Sequence, residues 1–221
     1  MVTSVEEVKA ILFRQYNISG TYTIDPETLV VDVEGSVALR AMTPHFGVQF
    51  GKVSESFWCR ERQLTSLKGA PHTVGKDFDC SANKLTSLAH GPTHAGTYNC
   101  NYQQLTSLEG APTTVTGVFL CRNNLITSLN HLPSGITFLD CQDNPLVNFE
   151  HVPLDLENIS CSWRRDLPLL RLLTCKSVSL GWECPLAVDQ IITKYEGQGK
   201  PGALKAAAEL IKAGYKENAR W

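Results

Sequence analysis

Along most of the chain, apolar residues recur neither at the 3.6-residue period of an amphipathic helix nor in the long alternation of a barrel strand, but every 20 or 21 residues. The cysteines mark the rungs. Cys59, Cys80, Cys100, Cys121, Cys141 and Cys161 follow one another at intervals of 21, 20, 21, 20 and 20. Two residues before them stand Phe57, Phe78, Tyr98, Phe119, Leu139 and Ile159. Behind the first five cysteines come Leu64, Leu85, Leu105, Ile126 and Leu146 at the fifth position, then Leu67, Leu88, Leu108, Leu129 and Phe149 at the eighth. The twelfth is always proline, and the fifteenth is Val74, Ala95, Val115, Ile136 or Leu156.

Around each cysteine apolar and polar residues alternate, which predicts a very short strand with one face inward. The leucines of LTSL sit too close to the following proline and its turn-forming neighbours to belong to a helix. Each copy is therefore one strand, one turn and an extended return. A single coil of this length cannot bury its apolar side, whereas stacked copies bury a continuous ladder, with parallel strands about 4.8 Å apart.

The ends need different structure, because a stack exposes its interior there. Ser4 with Glu7 forms a capping box, and Val5, Val8, Ile11 and Leu12 make one apolar stripe. Tyr22 to Ile24 and Leu29 to Val33 flank the turn signal DPET and predict a hairpin, while Val37 and Leu39, 20 residues before Phe57 and Cys59, suggest a degenerate first coil. After Cys161 the period stops. LPLLRLLTC, PLAVDQIITKY and PGALKAAAELIKAGY predict helices, one burying Val188, Ile191, Ile192 and Tyr195, another Leu204, Ala207, Ala208 and Ile211, with Pro185 and Pro201 in their first turns. The chain thus divides into residues 1–54, a helix plus hairpin cap and first coil; 55–162, the repeats; and 163–221, a helical cap or binding element.

The pattern F-x-C-x-x-N-x-L-T-S-L-x-G-A-P resembles leucine-rich repeats, in particular the short class of bacterial effector proteins with proline on the return segment. LTSLKGAP, LTSLEGAP and FDCSANKLTSL are similar to leucine-rich-repeat proteins encoded by bacteriophages. The likeness covers residues 57 to 161, and the flanks YTIDPETLVVDVEGSVAL and YEGQGKPGALKAAAELIKAGYKENARW resemble the ends of those phage proteins. It implies an α/β repeat solenoid, a right-handed coil of short parallel strands with an N-terminal helix-hairpin cap and a C-terminal helical segment. It also implies a phage accessory protein that binds and inhibits or redirects a host defence or metabolic protein; the alternative is a structural or assembly component using the repeat face for contacts with itself or a tail protein. One departure is visible. The asparagine three residues after the cysteine is present as Asn83, Asn124 and Asn144, but Arg62 and Gln103 stand there in two copies, where a buried asparagine ladder would be interrupted.

Composition narrows the function classes. With 221 residues, 43% hydrophobic, the chain can build one or two small cores and is too apolar for general disorder. Lys and Arg number 20 against 22 Asp and Glu, so no bulk basic field favours nucleic acid, although residues 163–221 hold ten basic and six acidic residues. No apolar run approaches the roughly 20 residues of a membrane span, and acids stand where a signal peptide wants lysines. A soluble protein of the cytoplasm (the host cell's, if phage-encoded) is expected, with its eight cysteines reduced and no membrane partner.

Candidate chemistry is thin. No two cysteines are nearer in sequence than Cys175 and Cys184, unlike the close pairs of zinc sites, so packing is the simplest role for the ladder, ahead of oxidation or metal binding. The six histidines fall mostly in return segments beside glycine or proline. Gly197-Gln198-Gly199-Lys200-Pro201-Gly202 matches G-x-G-x-x-G, but a helix precedes it and Pro201 removes an amide, so it is expected to be a loop between helices. No nucleophile elbow, P-loop or H-E-x-x-H appears. No catalytic residue, metal or cofactor is expected.

What remains is the face beside the cysteines. If Cys points in, its neighbours point out onto the concave sheet face. Reading along the stack, the candidate protein-binding residues are Trp58, Arg60, Glu61, Asp79, Asn99, Asn101, Tyr102, Leu120, Arg122, Asp140, Gln142 and Trp163. Core positions repeat while these vary among aromatic, basic, acidic and amide side chains, as aromatic and arginine anchors on a rigid scaffold would. The partner expected is another protein, with no nucleic acid and an unspecified oligomeric state.

Overall fold

The computed structural model describes residues 2–221. It begins with α1 (Val5–Gln15), whose Ser4 cap accepts the Glu7 N–H at 3.3 Å. β1 (Tyr16–Ile24) and β2 (Val30–Leu39) follow as an antiparallel hairpin, its turn tied by Asp25 Oδ1, which accepts from the Glu27 and Thr28 amides. The strands are thus longer than the sequence suggests on both sides of DPET.

The repeats then lay down two parallel ladders. One runs from the end of β2 through β4 (Phe57–Trp58), β6 (Asp77–Asp79), β8 (Thr97–Asn99), β10 (Val118–Leu120), β11 (Phe138–Asp140), β12 (Asn158–Ser160) and β13 (Ser177–Ser179). The other runs from the start of β2 through β3 (Gln49–Val53), β5 (Thr73–Val74), β7 (His94–Ala95) and β9 (Thr114–Val115), ending in a bridge from Thr114 to Ser134. The expected extended return is therefore itself a ladder. With eight strands on the first ladder, the molecule is a parallel β-solenoid of about eight turns.

Its register follows the sequence period. Val37 pairs with Phe57, Phe57 with Phe78, Phe78 with Tyr98 and Tyr98 with Phe119, so one large apolar position is superposed on itself coil after coil. All six repeat cysteines are buried, as are the leucines at the fifth and eighth positions. Phe57, Phe78, Tyr98 and Phe119 stack with centroids 5.8, 5.1 and 5.6 Å apart. Edge-on contacts from Tyr16 through Phe50 to Phe57 extend that stack to the first coil. Each such ring removed from water is worth roughly 1.5–3 kcal/mol, which is how coils too small to fold alone hold together.

The period does not stop at Cys161. Ile159 pairs with Val178 of β13, and Leu180 occupies the place a cysteine would take. Sequence inspection misses this coil because its return is replaced by a 3₁₀ turn at Leu170–Thr174 and its spacing shrinks. α2 (Leu186–Tyr195) buries Val188, Ile192 and Tyr195, with Pro185 as its N-cap. α3 (Gly199–Lys212) corrects the expected face: it buries Gly202, Ala203, Ala206 and Leu210, and turns Leu204 and Ile211 outward. The small residues, not the large ones, let it pack closely. The G-x-G-x-x-G segment spans the α2–α3 connection and the first turn of α3.

The amide ladder is also not interrupted. Asn83 Nδ2 donates to the carbonyls of Cys59 and Cys80 at 2.9 and 2.7 Å, while its Oδ1 accepts from the Arg62 and Leu64 amides. Asn124 and Asn144 repeat the pattern. Gln103, one methylene longer, still donates to Cys80 O at 2.6 Å and accepts from Leu85 N–H at 3.0 Å. At Arg62 the donor half survives as Nε to Leu39 O at 2.7 Å, and the arginine's own carbonyl accepts from Thr43 N–H. Any side chain that can donate to the preceding coil's carbonyl keeps the ladder whole.

Two residues after each of the first five repeat cysteines, Glu61, Ala82, Tyr102, Asn123 and Asp143 adopt φ between 52 and 56°, the left-handed region. An L-residue pays for this, so Ala82→Gly is expected to raise the unfolding free energy by about 1 kcal/mol. Asn124→Ala leaves several buried backbone groups unpaired and is expected to lower it by about 3 kcal/mol. Urea unfolding midpoints check both.

Candidate functional site

The residues flanking each cysteine on the first ladder share one face, because strand side chains alternate. Trp58, Arg60, Glu61 and Tyr102 are exposed; Asp79, Asn99, Asn101, Leu120, Arg122, Asp140 and Gln142 are half-buried by their neighbours in the row. Trp163 is half-buried too, set edge-on against Tyr215 at 6.4 Å. It belongs to the packing of the C-terminal segment, with Arg165 over the far ring.

The row separates into two kinds of position. Asp79 Oδ1 accepts from the Ser81 N–H and hydroxyl at 2.9 and 2.6 Å, Asn99 Oδ1 from Asn101 N–H at 3.1 Å, and Asp140 Oδ1 from Gln142 N–H at 3.1 Å. These are Asx turns that close the strand before it enters the left-handed residue. Asn101 Oδ1 in turn accepts from Arg122 N–H at 2.7 Å in the next coil. Half of the polar row thus holds the scaffold. Sequence reasoning assigned all of it to recognition, although D-C-S, N-C-N and D-C-Q carry the Asx spacing.

The free side chains form two groups. Trp58 stands 41% exposed beside Arg60, which pairs with Glu61 at 3.2 Å. Tyr102 stands 54% exposed one coil before Arg122, whose Nε donates to Asp143 Oδ2 at 2.9 Å. Asp143 also accepts from Asn123 and from the Ser162 hydroxyl, at 3.2 and 3.1 Å. That carboxylate holds the Arg122 guanidinium more firmly charged. Burial raises the Asp140 carboxyl, opposed by the Gln142 amide and the Arg122 charge. Both arginines are positioned by acids on their own face, so they present planar, oriented donors.

Two open grooves, of about 610 and 920 Å³, flank α1 and include none of these residues. All six histidines are exposed, and His90 and His131 occupy the left-handed turn position that glycine fills in neighbouring copies. No group of three or more His, Cys, Asp or Glu among the described residues is placed to hold a metal ion, and no described helix is long and apolar enough to cross a membrane. No protein-family model, curated protein or solved structure matches the chain.

The thiols are held as thiols. Cys80, Cys100 and Cys141 donate to the carbonyls of Asn99, Leu120 and Ser160 at 3.3 to 3.4 Å, each in the next coil. Burial pushes all six well above the ordinary value of 9.0, and pushes Cys175 to about 11 and Cys184 to about 12. Raised pKa values in the folded state mean stability is complete below the unfolded thiol pKa and falls as pH climbs above it. Each buried thiol then removes about 1.4 kcal/mol per pH unit. The unfolding midpoint is therefore expected to drop steeply above pH 9, and a bulky maleimide at pH 8 is expected to leave the buried repeat thiols unmodified in the native protein and to reach half-buried Cys184 only slowly, since little of it is thiolate. Mass spectrometry of the labelled peptides checks the second point.

Proposed function

We propose that the chain is a leucine-rich-repeat protein of the bacteriophage-encoded kind, a non-catalytic module that binds a host-cell protein through the face of its first strand ladder. The observation that carries this reading is the contrast within one repeat: the inward positions are superposed and nearly unchanged, while the outward ones offer Trp58, Arg60, Tyr102, Leu120 and Arg122 with no structural duty in the strand turns. Exposed aromatics and oriented arginines are the side chains that dominate protein interfaces. Seven spacings of about 4.8 Å give a strip roughly 34 Å long, the scale of a standard interface and larger than a small-molecule pocket. Acids and bases are mixed along it, which disfavours a nucleic-acid track.

Affinity purification from infected bacteria tests the proposal. The intact protein is expected to retain a stoichiometric host protein, and the fourfold variant Trp58→Ala, Arg60→Ala, Tyr102→Ala, Arg122→Ala is expected to lose it while keeping its unfolding free energy within about 1 kcal/mol of the intact protein's, since all four side chains lie outside the core. An unchanged partner list in the variant refutes the assignment of this face.

A further inference from the structure

The two ends of the first ladder are finished differently. At the C-terminal end the edge of β13 is occupied: Val178 N–H donates to Glu196 Oε2 at 2.8 Å, and the Cys175 carbonyl accepts from Gly197 N–H at 2.6 Å. At the other end no described residue closes the outer edge of β1. Its register with β2 puts Asp25 opposite Val30 and Gln15 opposite Arg40, both hydrogen-bonded pairs, so the odd-numbered residues of β1 turn their backbone groups toward β2. Ile18, Gly20 and Tyr22 turn theirs outward, where they find no partner among the described residues. A nine-residue edge is long, and natural edges of that length are guarded by charge or proline. Tyr16 to Ile24 has neither.

We propose that β1 pairs antiparallel with β1 of a second copy of this chain, about a twofold axis through Gly20. Three features select that occupant and register. Gly20 is the central residue of the strand, and it faces Gly35 where β2 passes from one ladder to the other; a Cβ on either would meet the opposite backbone at about 2 Å. The strand therefore turns the solenoid's corner at Gly20, and only a twofold at the corner lets two bent edges follow each other along their length. That register sets outward-facing Ile18 opposite Tyr22 of the copy and Gly20 opposite Gly20, so every free amide meets a carbonyl. The strand's ends are complementary in charge, with Arg14 before it and Asp25 and Glu27 after it, and antiparallel pairing brings unlike ends together twice. Phe13 and Tyr22, 84% and 42% exposed in the groove beside the edge, gain cover. Because β13 is blocked, the contact closes as a dimer and does not propagate into a filament.

In this register Ser19 lies opposite Thr21 of the other copy, both exposed. Sedimentation velocity over a concentration series tests the pairing with two double variants. The wild type is expected to reach twice the chain mass; Ser19→Lys with Thr21→Lys, which opposes like charges at both crossings, is expected to remain monomeric; Ser19→Lys with Thr21→Glu, which opposes unlike charges, is expected to dimerise as the wild type does. Circular dichroism confirms that both variants fold. A monomeric wild type overturns the proposal and leaves the edge to a strand of another protein; a dimer in all three places the contact elsewhere, and loss in both variants excludes this register.

Discussion

The constraint on which the structure depends is the turn that follows each buried thiol. There the chain leaves the strand with its carbonyls aimed into an interior that water does not reach, and an unpaired buried carbonyl is costly. The side chain three residues on answers this by spanning two coils at once, as Asn124 does between Cys100 and Cys121. Stacking of phenyl rings adds energy without direction, but the amide bridge fixes how far one coil is turned and raised relative to the next. Register and pitch follow from it.

Much of this was legible in the sequence, because a superposed repeat writes its core as a column. The thiols, the rings before them and the leucines after them all emerged as interior. The legible part ended where one chemical job can be done by several side chains. Gln103 and Arg62 looked like breaks in the ladder, since pattern matching compares residue names while the carbonyl needs only a donor. The last coil escaped notice because Leu180 replaces the marker cysteine and the return before it is a 3₁₀ turn without the repeat's fifth-position leucine and twelfth-position proline. On α3, hydrophobicity pointed to Leu204 and Ile211, yet close packing against α2 and the 3₁₀ turn at Leu170–Thr174 selected Gly202, Ala203 and Ala206.

The strand face was legible as a position, while the turn-closing duty of part of it was not. Asp79, Asn99 and Asp140 spend their carbonyl or carboxylate oxygens on the next turn, a duty carried out with the same polar residues that recognition uses. Setting them aside leaves two clusters, around Trp58 and around Tyr102 and Arg122, on a base whose left-handed residues are fixed by the turn. Under the proposed reading the rigidity of that base favours binding, because side chains already held in place lose less freedom on contact.

Asn218, fully buried, donates to the carbonyls of Arg164 and Leu167 at 2.9 and 2.8 Å, across 54 and 51 residues. The earlier coils are bonded to neighbours about twenty residues away, whereas the turn after Cys161 is tied to a segment more than fifty residues downstream, with Leu169 N–H donating to Asn218 O as well. Closing that rim therefore costs a longer loop than closing any coil before it.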